Sequence, residues 1–235
     1  MESRTQYRKP ALSAGRIIVA TLLMVSISGC KQFIMLSYII GGPPSIEPEF
    51  DRQTGHQLTE YGVKVAVVCY APDELKWDYD SLDEHVAGMV AMQLQRHKID
   101  VIDPTRVKAW LDKNPDWDSA EEIGASLVDG DDLHPTHIIQ IDLSDYDLYE
   151  ENSNNLYRGR ADITIKVVKM NEDGSGKGEE AFKHQVKSVY PILTAVSTSS
   201  MSYTTFKGQY MVRLSEEIGR LFYEHYAGDD ISDGA

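Results

Sequence analysis

Apolar positions along the chain change their spacing from stretch to stretch, and each spacing predicts a different element. Val63–Tyr70 is a near-continuous run rich in β-branched residues, the pattern of a strand covered on both faces. Leu82, Val86, Met89, Val90 and Leu94 then recur every three or four residues, which predicts a helix with one buried face that ends near His97. Ile99–Ile102 reads as a short strand. Val107, Trp110 and Leu111 form the apolar face of a second helix, stopped by Asn114-Pro115, and Ile123 and Leu127 mark a third. Pro135–Tyr146, with Ile138, Ile139, Ile141 and Leu143, is a further buried strand. From Tyr157 the pattern alternates: Tyr157, Gly159, Ala161, Ile163, Ile165 and Val167 share one face, while Arg158, Arg160, Asp162, Thr164 and Lys166 share the other. That period of two predicts an antiparallel strand with one wet face. Phe182, His184, Val186, Ser188 and Tyr190 resume the alternation after the turn-rich Asn171–Glu179, so the two stretches make a long hairpin. Phe206, Tyr210, Leu214, Ile218, Leu221, Phe222 and His225 predict a closing helix of about 20 residues.

Start signals accompany the helices. Ser81 with Glu84, and Ser119 with Glu122, fit the S-x-x-E capping box, and Asp103-Pro104 places a capping residue before a proline at the first helical position. Ala71–Asp80 and Pro191–Thr205 read as loops. The order β-α-β-α-α-β-β-β-α, with helical crossovers early and a hairpin late, predicts an α/β sandwich with a mixed sheet over residues 62–228. Ser45–Tyr61 reads as an extended polar linker before it, and residues 229–235 as an acidic tail.

A different pattern precedes the domain. Arg4, Arg8, Lys9 and Arg16 lead into the apolar Ile17–Ile27, which ends in the small Ser28 and Gly29 and in Cys30, the layout of a secretory signal peptide. That apolar core is shorter than the roughly 20 residues that span a bilayer as a helix. Ile27-Ser28-Gly29-Cys30 resembles the bacterial lipobox. The resemblance implies that residues 1–29 are removed and that Cys30 carries a diacylglycerol on its thiol and an acyl chain on its new amino group. Two or more acyl chains hold a protein stably on a membrane. By the same resemblance Lys31, where an Asp would favour the inner membrane, implies the outer membrane facing the periplasm in a cell with two membranes. Phe33, Ile34, Met35, Leu36, Tyr38, Ile39 and Ile40 follow at once, closed by Gly41-Gly42-Pro43-Pro44. Residues 30–61 thus read as a membrane-proximal tether whose apolar patch lies on the membrane, docks on the domain or meets another copy.

Composition narrows the function classes. The chain carries 23 basic and 37 acidic residues, a net charge of −14; setting aside residues 1–29 removes four of the first and one of the second and leaves −17. Such acidity argues against nucleic acid or anionic lipid bound through a basic surface. Of the two cysteines, a lipidated Cys30 leaves Cys69 unpaired within a buried strand, where a free Cys behaves as a small hydrophobe. No local group would lower its pKa.

The VAVV strand, the helix after it, the short IDVIDP strand, the THIIQIDLSDY strand and the long alternating strand together resemble a family of periplasmic lipoproteins. These are the activators of penicillin-binding proteins, with the curli secretion lipoprotein and the amino-terminal domain of the Tol-system β-propeller protein. The likeness covers roughly Val63–Met170 and the last helix. It implies a recognition module without a catalytic centre, so it carries over no catalytic residue. The membrane-hairpin segments of the curli channel have no counterpart in this sequence.

Candidate chemistry is sparse. Asp131, Asp132, His134 and His137 form the best ligand cluster, although their spacing matches neither H-E-x-x-H nor a calcium loop. Asp83-Glu84-His85 diverges around a helix. No Gly-Lys-Ser/Thr follows Gly124–Gly130, and no G-x-S-x-G elbow is present. Trp77, Tyr79, Tyr146, Tyr149 and Tyr157 lie on or beside loops at strand ends, where aromatic residues anchor a protein partner, and Asp145, Asp147, Glu150 and Glu151 line them with acid that would suit a basic partner or a neutral polymer. The reading is a non-enzymatic, lipid-anchored module, without a cofactor, that recognises another envelope protein or assembles with itself. The alternative is an envelope hydrolase or metal-dependent enzyme using the Asp131–His137 region.

Overall fold

The computed structural model describes residues 44–127, 134–171 and 175–226. Residues 1–29, Cys30, the apolar run at 33–40, Asp131, Asp132 and the 229–235 tail lie outside the described residues. In chain order the elements are β1 (Ser45–Ile46), α1 (Glu49–Thr54), β2 (Val65–Tyr70), α2 (Asp73–Asp78), α3 (Leu82–Arg96), α4 (Pro104–Leu111) and α5 (Ala120–Ser126). They continue with β3 (His137–Tyr149), β4 (Leu156–Met170), β5 (Gly178–Tyr190), β6 (Val196–Ser197), α6 (Tyr203–Gly219) and β7 (His225–Tyr226).

The sheet is mixed, in the order β2-β3-β4-β5, with β6 added to the start of β4. β2 runs parallel to β3, from Val65 opposite His137 to Tyr70 opposite Asp142, and the hairpin strands are antiparallel. Alternation along β2 feeds two cores. Val65, Val67 and Cys69 face α3 and α6, joined by Ile139, Ile141, Leu143, Ile163 and Ile165. Ala66 and Val68 face α4 and α5, joined by Ile138, Val168 and Met170. The second layer covers only that part of the sheet. Beyond it the same face is polar, with Lys166 paired to Asp142 at 2.8 Å and Lys187 to Asp162 at 3.5 Å. The expected α/β sandwich with a mixed sheet is the observed architecture.

Local differences have physical causes. Residues 45–61 are packed on the domain rather than extended. Phe50 and Leu58 are buried in the main core, the Phe50 N–H donates to the Leu221 carbonyl at 2.9 Å, and the Phe50 ring meets Phe182 edge-on. Two isolated apolar residues in a polar stretch have no period to read, yet they supply enough burial to dock it. The expected loop after β2 holds α2. Ser81 does not cap α3: it sits in the left-handed region at φ 53°, its side chain bonds no helix N–H, and Asp83 accepts from the Glu84 N–H instead. Ser119 does cap α5, accepting from the Glu122 N–H, and Asp103 caps α4 through the Thr105 N–H. Ile99–Ile102 shrinks to one parallel bridge, Val65 to Val101.

Two features make measurable demands. A Cβ on Gly159 would lie 2.4 Å from the fully buried ring of Tyr210, so α6 approaches β4 only because this position has no side chain. Gly159→Ala should lower stability by about 1–3 kcal/mol through overpacking, read as a shifted urea midpoint with unchanged slope. Asp51, on α1, is buried with Oδ1 unpartnered, and burial pushes its carboxyl up to about 6, helped by Glu47, Glu224 and Glu60. A folded pKa above the unfolded value means the folded state holds the proton more tightly, so this group adds stability as pH falls from about 6 towards 4 and loses it above. Asp51→Asn should therefore raise stability at pH 7–8 by roughly 1–3 kcal/mol and flatten the pH profile between about pH 4 and 6.

Candidate protein-binding surface

One end of the sheet, where β3 finishes and β4 begins, is built on a run of touching rings. Tyr79 meets Tyr146 edge-on at 4.8 Å, Tyr146 meets Tyr210 at 5.6 Å, and Tyr210 meets Tyr190 at 6.4 Å. Phe206 continues from Tyr190 at 6.0 Å to Tyr157 at 5.0 Å, and Tyr157 meets Tyr149 at 5.3 Å. Such separations are those of favourable ring pairs. Three of the five aromatic residues expected at a partner surface are consequently core: Tyr79, Tyr146 and Tyr157 are buried.

A β-bulge explains Tyr146. Leu143 pairs with Ile163 and Asp145 with Asp162, so Ser144 is an extra residue that turns Tyr146 inward, out of the parity Leu143 had set. The Tyr79 hydroxyl donates to Asp147 Oδ1 at 3.3 Å and accepts from the Leu148 N–H at 3.4 Å. Burial first, then Asp147, pushes the Tyr79 phenol well above its usual range, and burial does the same for Tyr146 and Tyr210. The Tyr79 hydroxyl ties α2 to the end of β3, and the Tyr146 hydroxyl meets the Met211 sulfur at 3.5 Å.

Trp77, 81% exposed, and the half-buried Tyr149 remain available for contact. The elements that meet at this end add exposed apolar groups with no period to mark them in the sequence: Leu156, Val189, Ile192, Leu193 and Tyr203. Leu193 is 78% exposed. Ile192 and Leu193, adjacent large aliphatics in a Ser/Thr-rich stretch, were the available signal. Half of the large exposed hydrophobics among the described residues thus lie on elements reaching one end of the sheet.

The expected acidic rim is largely neutralised. Arg158 pairs with Glu150 at 3.0 Å, and Arg160 with Asp147 at 3.1 Å and Glu151 at 3.0 Å. The outward-facing half of the β4 alternation supplies both arginines. Three of the four acids of that rim are therefore already engaged.

At the opposite end, His134 and His137 line a cavity of about 630 Å³ together with His56, Glu60 and Lys169. Thr136 Oγ1 accepts the Lys64 N–H at 2.9 Å and donates to the Lys64 carbonyl at 3.1 Å, so it receives the Nδ1–H of His137 at 2.9 Å. Hydrogen bonding assigns that tautomer. Burial, Lys169 and His56 bring the His137 pKa down to about 4, which keeps the ring neutral. His134 Nδ1 lies 3.1 Å from the Leu127 carbonyl and donates to it. Among the described residues no three His, Cys, Asp or Glu side chains converge as metal ligands, and Asp131 and Asp132 lie outside them. Glu84 pairs with Lys108, and the buried Cys69 thiol is pushed up by desolvation and by Asp83 and Asp142, the opposite of an activated nucleophile.

No family model and no curated protein matches the chain. Among solved structures it is similar to PelC from Paraburkholderia phytofirmans, crystallised as a dodecamer, at 10% identity over 76% of this chain and 97% of that one, with a TM-score of 0.38. It is also similar to the lipoprotein GNA1162 from Neisseria meningitidis, at 12% identity over 66% and 97%, with a TM-score of 0.39. The hypothetical protein CT253 from Chlamydia trachomatis is 13% identical over 68% and 96%, also with a TM-score of 0.39.

Replacing rings separates scaffold from surface. Tyr146→Ala should cost about 3–5 kcal/mol as a buried aromatic truncation, whereas Trp77→Ala should stay within about 0.5 kcal/mol, as for an exposed site. Urea unfolding of the two variants checks both values.

Proposed function

We propose that the chain is a lipid-anchored protein of the bacterial envelope that works as a non-enzymatic recognition or assembly module, binding another envelope protein or further copies of itself. The observation that carries this reading is the layout of residues 1–30: four basic residues, a short apolar core, and Ile-Ser-Gly-Cys. Cys30 is the anchoring residue, and Lys31 favours the outer membrane facing the periplasm where two membranes exist. No helix of the described residues is long and apolar enough to cross a membrane. Two features of the domain support a binding role. Trp77, Ile192 and Leu193 stay exposed at one end of the sheet, and the charged and phenolic groups beside them are engaged in ion pairs and packing.

Cys30→Ala should block acylation and cleavage, leaving a precursor larger than the mature chain on a denaturing gel; normal maturation of that variant would overturn the anchor. Crosslinking in intact envelopes followed by purification should recover the wild type in a defined complex, lost or weakened at least tenfold in a Trp77→Ala/Leu193→Ala double variant. Recovery of an unpartnered monomer alone would remove the recognition reading.

A further inference from the structure

β2 leaves an open edge. A residue in a parallel ladder directs its N–H and its C=O to the same side, and successive residues alternate sides. Val65 uses its outward pair on the short segment before α4: its N–H donates to the Asp100 carbonyl at 2.9 Å, and its carbonyl accepts from the Ile102 N–H at 2.8 Å. Val67 and Cys69 share that parity. The neighbouring chain, however, turns off into α4 at Asp103, and no described residue pairs with Val67 or Cys69 on the outer side. Both residues are almost wholly buried, where unpaired backbone groups are uncommon.

A groove of about 600 Å³ runs along this edge. Ala87 and Gly88 of α3 form one wall, Val107 and Leu111 of α4 the other, and Trp117 contributes beyond. Both lysines at the rim are engaged by its acids. Lys76 lies 3.8 Å from Asp83, and Lys108 joins Glu84 across from α4 to α3 and also reaches Asp112 at 3.5 Å. The floor therefore asks for main-chain donors and acceptors in extended geometry. The two walls ask for apolar side chains on both faces of the added strand, and the rim asks for no charge.

Within the chain, one run outside the described residues and beyond the export sequence answers all three demands. Residues 33–40, Phe-Ile-Met-Leu-Ser-Tyr-Ile-Ile, carry no charge and are apolar at nearly every position, the composition of a strand covered on both faces. Gly41-Gly42-Pro43-Pro44 separates the run from β1. We propose that the β2-edge groove receives residues 33–40 of a second copy of the chain as an added strand, main-chain bonded to Val67 and Cys69. Strand addition to an exposed sheet edge is a general mode of peptide recognition. The proposal rests on the assembly reading above and specifies its contact.

The test uses the mature chain purified from membranes, compared with Gly88→Phe and with an Ile34→Lys/Ile39→Lys variant. A Cβ at Gly88 meets nothing within 4 Å, and Gly88 lines the groove, so a side chain there starts into open space without displacing its neighbours. Sedimentation over a concentration series should show the wild type self-associating and both variants at least tenfold weaker, with the thermal midpoint of Gly88→Phe unchanged or raised. Amide exchange at Val67 and Cys69 should slow at least tenfold in the associated wild type and in neither variant. A Gly88→Phe protein that associates like the wild type overturns the groove as the site. Protection of the two amides at every concentration in a monomer overturns the second copy as the occupant. A wild type that stays monomeric, yet is crosslinked to a different envelope protein, overturns this proposal while the recognition reading stands.

Discussion

Parallel pairing of β2 with β3 is the constraint from which most of the structure follows. Two parallel neighbours cannot be joined by a tight turn; the chain must leave the end of β2, cross a face of the sheet and return to the start of β3. Every helix from α2 to α5 lies in that crossover. Its first return, at Asp100–Ile102, engages only Val65 of β2 before Asp103-Pro104 launches α4, because proline lacks the N–H a ladder needs and suits the first helical position. Both layers over β2 and the bare edge beside Val67 and Cys69 are outcomes of one connection.

The antiparallel half is governed by a second close contact. Tyr210 of α6 lies flat over Gly159 of β4, which brings Tyr146, Tyr190 and Phe206 into mutual reach. The ring packed on the glycine fills the space between α6 and β4, and burial holds the phenols there protonated. Polar chemistry at this end is instead spent on orienting strands: Arg158 and Arg160 reach from β4 to the acids at the end of β3. Trp77 and the Ile192–Leu193 pair stay outside this packing.

Sequence periodicity carried the fold because both faces of β2 and one face of β4 are set by burial, which writes itself into residue choice. The alternation from Tyr157 to Val167 matched the buried face and had already placed Tyr157 inside, against its assignment to a partner surface. Ser119 could be read as a cap because its backbone is extended, whereas Ser81 could not, since its left-handed backbone is set by α2 arriving immediately before α3. Phe50 and Leu58 were hidden for want of a period, and Tyr146 because a single extra residue, Ser144, reverses parity without any mark in composition. Edges are harder still. A free N–H belongs to the backbone, and only the neighbour's departure at Asp103 reveals it.

The acidity of the chain suggests at first a protein steered by its field, with a basic partner drawn to a negative surface. Local arrangement argues otherwise. At the ring-built end the acids of β3 are countered by arginines of β4, and at the β2 groove Lys76 and Lys108 engage acids of the rim. Net charge is a property of the whole surface, while a docking partner meets only what stands uncompensated within about a Debye length, roughly 8–10 Å at physiological salt. At both places apolar side chains or backbone N–H and C=O stand beside charges that are for the most part engaged. Screening by salt has little to act on in such contacts, and selectivity falls to shape and to strand geometry.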